Sequence, residues 1–260
     1  MEVWKAAVLG AVQGLTEFLP VSSSGHIILF EKLLRVQGGG AFFGVMLHAG
    51  TLIAVLFAYF YKILEMIKSD RKMLLYLLIA TVPAALVGFF LGDMIDRIFF
   101  GGKYLWIFFA LTAVLLLSAG RYAKKPRILR PIGVKTSFIA GAAQALAVVP
   151  GLSRSGATIS ACIFAGADRE SAADFSFLMS IPVIAGAIFA ELLKVFTGSA
   201  AVPEISWLSL AAGALTAAAF GFLSIRLVLR SIKKGSLRGF AVYLFALAAF
   251  LLANNFLYIL

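Results

Sequence analysis

The sequence predicts an all-α polytopic membrane protein: two inverted-topology repeats, with six transmembrane helices plus two re-entrant helix pairs. Three observations predict it. Of 260 residues, 62% are hydrophobic and 13% charged, against about 45–50% and about 25% in a soluble domain. Apolar runs recur along the whole chain, several of them near the ~20 residues that cross ~30 Å of hydrocarbon. The two halves also repeat one polar motif in register. The composition excludes a soluble globular enzyme, and 24 phenylalanines without long polar tracts exclude disorder.

Ten apolar runs are expected as helices. The first half holds Val3–Leu19, His26–Leu34, Phe42–Tyr61, Met73–Gly92 and Tyr104–Tyr122. The second holds Lys135–Val149, Ala157–Gly166, Phe175–Phe196, Trp207–Leu229 and Leu237–Ile259. The last three in each half are long enough to span. The first two are not: they are interrupted at Pro20 and Pro150, and the pieces that follow are short. Each such pair is read as entering and leaving the membrane on one side.

The halves match at an offset of 131. Gly10-Ala11-Val12-Gln13 faces Gly141-Ala142-Ala143-Gln144, and Ser22-Ser23-Ser24-Gly25 faces Ser153-Arg154-Ser155-Gly156. A register that holds through both segments indicates duplication within a single membrane domain, 1–260, with halves of roughly 1–130 and 131–260. Three spans per half, an odd number, invert the second half relative to the first.

Charge orients the chain. Fifteen Lys and Arg fall in Lys62–Lys72, Arg121–Lys135 and Arg226–Arg238, whereas the opposite side holds six: Lys5, Lys32, Arg35, Arg97, Lys103 and Lys194. The positive-inside bias puts both termini outside. It also accounts for the net charge of +11 without a nucleic-acid partner. One cysteine, Cys162, and two histidines exclude an intramolecular disulfide and a Cys/His zinc site. Gln13 and Glu17 inside the first apolar run argue against a cleaved leader.

Backbone that leaves the helix at membrane depth must be buried in protein or line a wet cavity. The elbows Pro20–His26 and Pro150–Gly156 are therefore expected to face one another or a shared cavity. Each opens a short helix, whose free N–H groups favour anions. The hydroxyls of Ser22, Ser23, Ser24, Ser153 and Ser155 add donors, Gly25 and Gly156 allow close approach, and Arg154 adds a fork suited to phosphate. Glu17, His26 and Arg154 are ionisable groups in apolar surroundings, which are costly and functional by default. Gln13 and Glu17 share a helical face, where their oxygens suit a hard divalent cation. His48 is read as a helix-packing residue. Asp174 is read as an N-cap or a partner of Arg154, and Asp93, Asp96 and Arg97 as an interfacial loop.

The run from Gln13 through Glu17, Pro20, Ser22, Ser23, Ser24 and Gly25 to His26 closely resembles the first motif of the undecaprenyl pyrophosphate phosphatase family. The run from Pro150 through Ser153, Arg154, Ser155 and Gly156 to Thr158 resembles its second, and the likeness continues through Phe175-Ser176-Phe177-Leu178. The family's first motif begins with Glu or Gln. With Gln13 here, Glu17 carries the negative charge. The resemblance implies hydrolysis of undecaprenyl pyrophosphate at the outer face of a bacterial plasma membrane, regenerating the lipid carrier for cell-wall synthesis. It also implies a divalent cation (Mg²⁺ or Ca²⁺), bacitracin resistance, and two inverted repeats with re-entrant pairs. Besides the substrate and membrane lipids, the only partner envisaged is a second copy, in a homodimer. His26 is expected as the central catalytic residue, attacking phosphorus or acting as general acid/base, with Ser23 the alternative nucleophile.

Two other readings compete. A lipid flippase or secondary transporter shares the inverted-repeat architecture. A type 2 phosphatidic-acid phosphatase is excluded, because a His is required where this chain has Ser160.

Overall fold

The computed structural model describes residues 1–36, 40–126, 128–198, 205–233 and 237–257. Among the described residues there are eleven helices and no strand. In the first half these are α1 (Val3–Phe18), α2 (Ser23–Leu33), α3 (Gly40–Ala58), α4 (Phe60–Lys68), α5 (Arg71–Phe99) and α6 (Leu105–Tyr122). The second half has α7 (Val134–Leu146), α8 (Arg154–Phe164), α9 (Arg169–Phe196), α10 (Trp207–Lys233) and α11 (Arg238–Leu257). Arg127 and Lys234 of the charge tally, and the end of the last apolar run at Ile259, lie outside the described residues.

Among the described residues, five helices are long and apolar enough to cross a bilayer: α3, α5, α6, α9 and α10. The sixth expected span, α11, is a 20-residue helix, about 30 Å at 1.5 Å per residue, and is apolar over the shorter stretch Arg238–Asn254. Both interrupted segments are helix–elbow–helix. α1 stops where Leu19 turns extended (φ −64°, ψ 141°) ahead of Pro20, as the residue before proline prefers. α2 and α8 are 11 residues each and begin 131 positions apart.

Two boundaries differ from expectation. The run Phe42–Tyr61 is not one helix, because Tyr59 (φ −108°, ψ 14°) separates α3 from α4. The Tyr59 hydroxyl donates to Asp174 Oδ1 at 2.7 Å and Lys62 Nζ to Oδ2 at 2.5 Å, so the break is tied to α9. α5 continues through Asp93, Asp96 and Arg97, which lie in its last turns and not in a loop.

Packing pairs the halves crosswise. α1 and α3 lie against α10, α7 and α9 lie against α5, and α6 meets α11. The tightest crossings use glycines at matching positions. A Cβ on Gly10 would come within 2.2 Å of the Gly213 carbonyl oxygen, and one on Gly141 within 2.7 Å of that of Ala80. Small residues of this kind are what lets membrane helices approach closely.

Burial is inverted relative to a soluble protein. Phe89 is 83% exposed and Phe196 84%, whereas Gln13, Glu17, Ser22, His26, Ser153 and Ser155 are all buried. Large apolar side chains at the periphery suit a lipid surround. The aromatic core beneath the elbows is Phe18, Phe109, Phe175 and Phe177, with Phe18 and Phe177 edge to face at 5.5 Å.

Candidate active site

The two elbows meet. Ser155 Oγ, at the start of α8, donates to the Leu19 carbonyl at 3.0 Å. A Cβ on Gly25 would come within 3.2 Å of Gly151 Cα. Both short helices are capped in the same way. Ser22 Oγ accepts from Gly25 N at 3.4 Å, and Ser153 Oγ accepts from Gly156 N at 3.1 Å. Each cap hydroxyl also sits beside the hydroxyl two residues on, Ser22 by Ser24 at 3.3 Å and Ser153 by Ser155 at 3.2 Å. Such serine caps satisfy donors that apolar surroundings would leave orphaned.

Glu17, in the last turn of α1, is the hub. Arg154 Nη2 pairs with its Oε1. Ser23 Oγ donates to Oε2 at 2.6 Å and Gln13 Nε2 to the same atom at 2.9 Å. A buried carboxylate without such donors would be prohibitively costly. The second nitrogen of the Arg154 fork, Nη1, donates to the Ser176 carbonyl at 3.3 Å. Thr158 Oγ1 lies 2.6 Å from Ser176 Oγ and donates to the Arg154 carbonyl at 2.9 Å, so α8 and α9 together aim the guanidinium. The elbow that precedes α8 is fixed in turn by Ser153 N donating to Thr112 Oγ1 of α6 at 3.1 Å.

His26 lies one turn into α2. Its Nδ1 is 2.7 Å from the Ser22 carbonyl and its Nε2 is 2.6 Å from the Tyr243 hydroxyl. A carbonyl only accepts, so Nδ1 donates and Nε2 of the neutral ring accepts from the phenol.

Gln13, Glu17, Ser23 and Arg154 are thus joined by direct contacts, with Ser22, Ser24, Gly25, Ser153, Ser155 and Gly156 forming the capped elbows beside them. His26 adjoins this set through Ser22. Three residues enter that the sequence did not single out for it. His48 Nδ1 accepts from Gln13 Nε2 at 3.0 Å and stands 3.7 Å from Glu17 Oε2, so it borders the site in addition to packing α3. A lone imidazole in an apolar run was the available signal. Ser176 lies in the run Phe175–Leu178 that carries the family likeness, without a role of its own there, and Tyr243 gave no signal, as an ordinary member of a helical run. Asp174 does not join Arg154: it is held by Tyr59 and Lys62, and α9 is capped instead by Asp168, which accepts from Ser171 N at 2.9 Å.

Residues 6–250 match the family described as Bacitracin resistance protein BacA. The chain belongs to this family. Among BacA-type relatives, it is 39% identical over 253 residues to Undecaprenyl-diphosphatase 4 of Bacillus cereus, covering 97% of each chain. It is 42% identical over 275 residues to Undecaprenyl-diphosphatase of Thermomicrobium roseum (97% and 98% covered). It is also 40% identical over 262 residues to that of Moorella thermoacetica, with the same coverage. The paired elbows therefore belong to a BacA-family membrane protein whose relatives bear the name of a lipid diphosphatase.

Proposed function

We propose that this chain hydrolyses undecaprenyl diphosphate to undecaprenyl phosphate and inorganic phosphate. The observation that carries this is the contact set around Glu17, in which a hydroxyl and a guanidinium from opposite halves converge on one buried carboxylate. A diphosphate headgroup competes with Glu17 for the Arg154 fork, because phosphate takes a guanidinium bidentately. As Arg154 turns to phosphate, Glu17 is left to accept the Ser23 proton. Ser23 Oγ then attacks the terminal phosphorus and the bridging P–O bond breaks. The lipid monophosphate leaves with the electron pair. Water hydrolyses the phosphoserine, and inorganic phosphate departs. Charge is stabilised chiefly by positioned donors, as phosphoryl transfer requires. Ser23 is preferred over His26 as nucleophile because both His26 ring nitrogens are already engaged.

The donor set fits a hard divalent cation such as Mg²⁺ or Ca²⁺ in one form. Glu17 would supply a carboxylate and Gln13, on the same helical face, its Oε1 once the amide turns from the Nε2 contact it now makes with Glu17; magnesium typically takes one or two carboxylates plus substrate phosphate oxygens. Among the described residues no three His, Cys, Asp or Glu side chains group together, so the remaining ligands fall to diphosphate and water. Once bound, the ion would neutralise charge on the diphosphate.

The charge distribution supports an outward-facing site with both termini outside, and the crosswise packing supports two inverted halves. At that face the reaction would return the lipid carrier to cell-wall synthesis. Phosphate release by purified protein in detergent, with Mg²⁺ and no ion gradient, is the test. A protein that only translocates lipid releases none.

A further inference from the structure

The first elbow is strained where the second is not. Ser22 has φ +71°, a region that side-chain-bearing residues rarely adopt, while its counterpart Ser153 has φ −71°. Strain of this kind persists only where the surroundings over-determine it. Among the positions at which the elbows differ, one touches the Ser22 carbonyl through its side chain: His26 in the first half is Ala157 in the second. His26 holds the Ser22 carbonyl twice, with its backbone N–H at 3.3 Å and its Nδ1 at 2.7 Å. The backbone contact has an equivalent at Ala157, whose N–H donates to the Ser153 carbonyl at 2.8 Å. The ring contact has none. The imidazole is itself clamped by Tyr243 of α11, which donates to Nε2 at 2.6 Å and stacks on the ring at 5.7 Å and 16°. Phe109 closes the other side at 5.4 Å.

We infer that Tyr243 is a positioning residue: it keeps His26 in the Nδ1–H tautomer, and His26 in turn holds the Ser22 carbonyl so that the strained elbow presents Ser23 to the substrate. A phenol that donates to Nε2 leaves the ring proton only Nδ1, where the carbonyl awaits it. Without that donor the proton can occupy either nitrogen, and the Nε2–H form withdraws the hold on the elbow. The part played by Ser23 rests on the function proposed above; the tautomer lock does not.

With two histidines in the chain, ¹⁵N-imidazole NMR of the purified protein, assigned through a His48→Gln variant, reads His26 directly. The wild type is expected to show protonated Nδ1 and unprotonated Nε2, and Tyr243→Phe, which keeps the stacked ring, to show both tautomers. In phosphate-release assays on undecaprenyl diphosphate, Tyr243→Phe is expected to lower kcat about tenfold, the order expected of one positioning hydrogen bond, with KM within about twofold. His26→Gln, whose amide N–H can serve the same carbonyl, is expected to keep roughly tenfold more activity than His26→Ala, on the same reasoning. An unchanged imidazole spectrum in Tyr243→Phe overturns the inference whatever the activity, and so does wild-type kcat alongside a changed spectrum. Equal inactivity of His26→Gln and His26→Ala overturns it as well, because it means that proton transfer and not position is what His26 supplies. Failure of the Ser23 reading shows separately, as retained phosphate release in Ser23→Ala.

Discussion

Glu17 and Arg154 lie 137 positions apart and form one buried ion pair, with side chains 5% and 15% exposed. The pair joins the end of α1 to the start of α8, so it fastens the two halves at the point where the elbows touch. Removing one member of a buried pair strands the other, at about 3–5 kcal/mol. Arg154→Ala is therefore expected to lose phosphate release and to unfold at clearly lower temperature in detergent. Glu17→Gln combined with Arg154→Met is expected to recover most of the thermal stability and none of the activity. If the double variant melts as early as Arg154→Ala, the stranded charge is not the cause.

Ser23 gives the sharpest chemical test. Its hydroxyl is already 2.6 Å from the carboxylate that would take its proton, whereas Ser22 and Ser24 hydroxyls face each other. Ser23→Ala is expected to reduce kcat by at least about 10³-fold, on the scale of losing a nucleophile, and Ser24→Ala far less. Quenching in neutral detergent, which spares phosphohistidine as well as phosphoserine, during turnover of substrate labelled in the terminal phosphate should trap acid-stable label on wild-type protein and none on Ser23→Ala. Label on Ser23→Ala, or on a histidine of the wild type, would falsify the assignment.

Much of the site was legible in the sequence because polarity is expensive in a bilayer. Glu17, His26 and Arg154 could not hide among apolar residues, and the Ser-x-Ser-Gly repeat marked both elbows. What could not be read was pairing over long chain distances. Tyr243 meets His26 across 217 positions, and in Tyr243-Leu244-Phe245 it looks like any aromatic residue facing lipid. Asp174 reads as an N-cap or a partner of Arg154, but its real partners lie 112 and 115 positions away in Lys62 and Tyr59. The break between α3 and α4 failed to show for the same reason. No Gly or Pro marks Ala58-Tyr59-Phe60, and the interruption coincides with a tertiary contact to α9.

The glycine crossings predict position-specific intolerance. Gly10→Ala would push a methyl group against the Gly213 backbone, and Gly141→Ala against Ala80. Backbone cannot yield as a flexible side chain does, so each is expected to cost about 1–3 kcal/mol. Gly88→Ala in α5, where a Cβ meets nothing within 4 Å, is the control, expected to be neutral or slightly stabilising through helix propensity. Equal melting temperatures for all three variants would contradict the packing described.

Gln13 offers a test of the proposed cation. It lies one turn before Glu17 and contacts it at 2.9 Å. Gln13→Glu would give the helical face a second carboxylate, and oxygen sites for hard cations strengthen with ligand charge. Chelation is expected to stop phosphate release by the wild type, and added Mg²⁺ to restore it. In Gln13→Glu the Mg²⁺ concentration for half-maximal rate should fall by a few-fold or more. Activity that survives exhaustive chelation would remove the cation from the reaction.

Orientation can be decided with thiols. Cys162 is fully buried, so the native chain contributes little background to labelling by a membrane-impermeant maleimide. Two exposed positions bracket α6. Gly101 lies between α5 and α6, where an added Cβ meets no neighbour, and Lys124 lies just past α6 in the loop with the densest positive charge. The positive-inside bias puts that loop in the cytoplasm and Gly101 outside. In intact cells Gly101→Cys should therefore label and Lys124→Cys should not, until the membrane is opened. The reverse pattern would turn the protein over. It would place the first elbow, with Glu17 and Ser23, at the cytoplasmic face, and a role in recycling carrier from the outer leaflet would then fail, even though the hydrolytic chemistry of the site would stand.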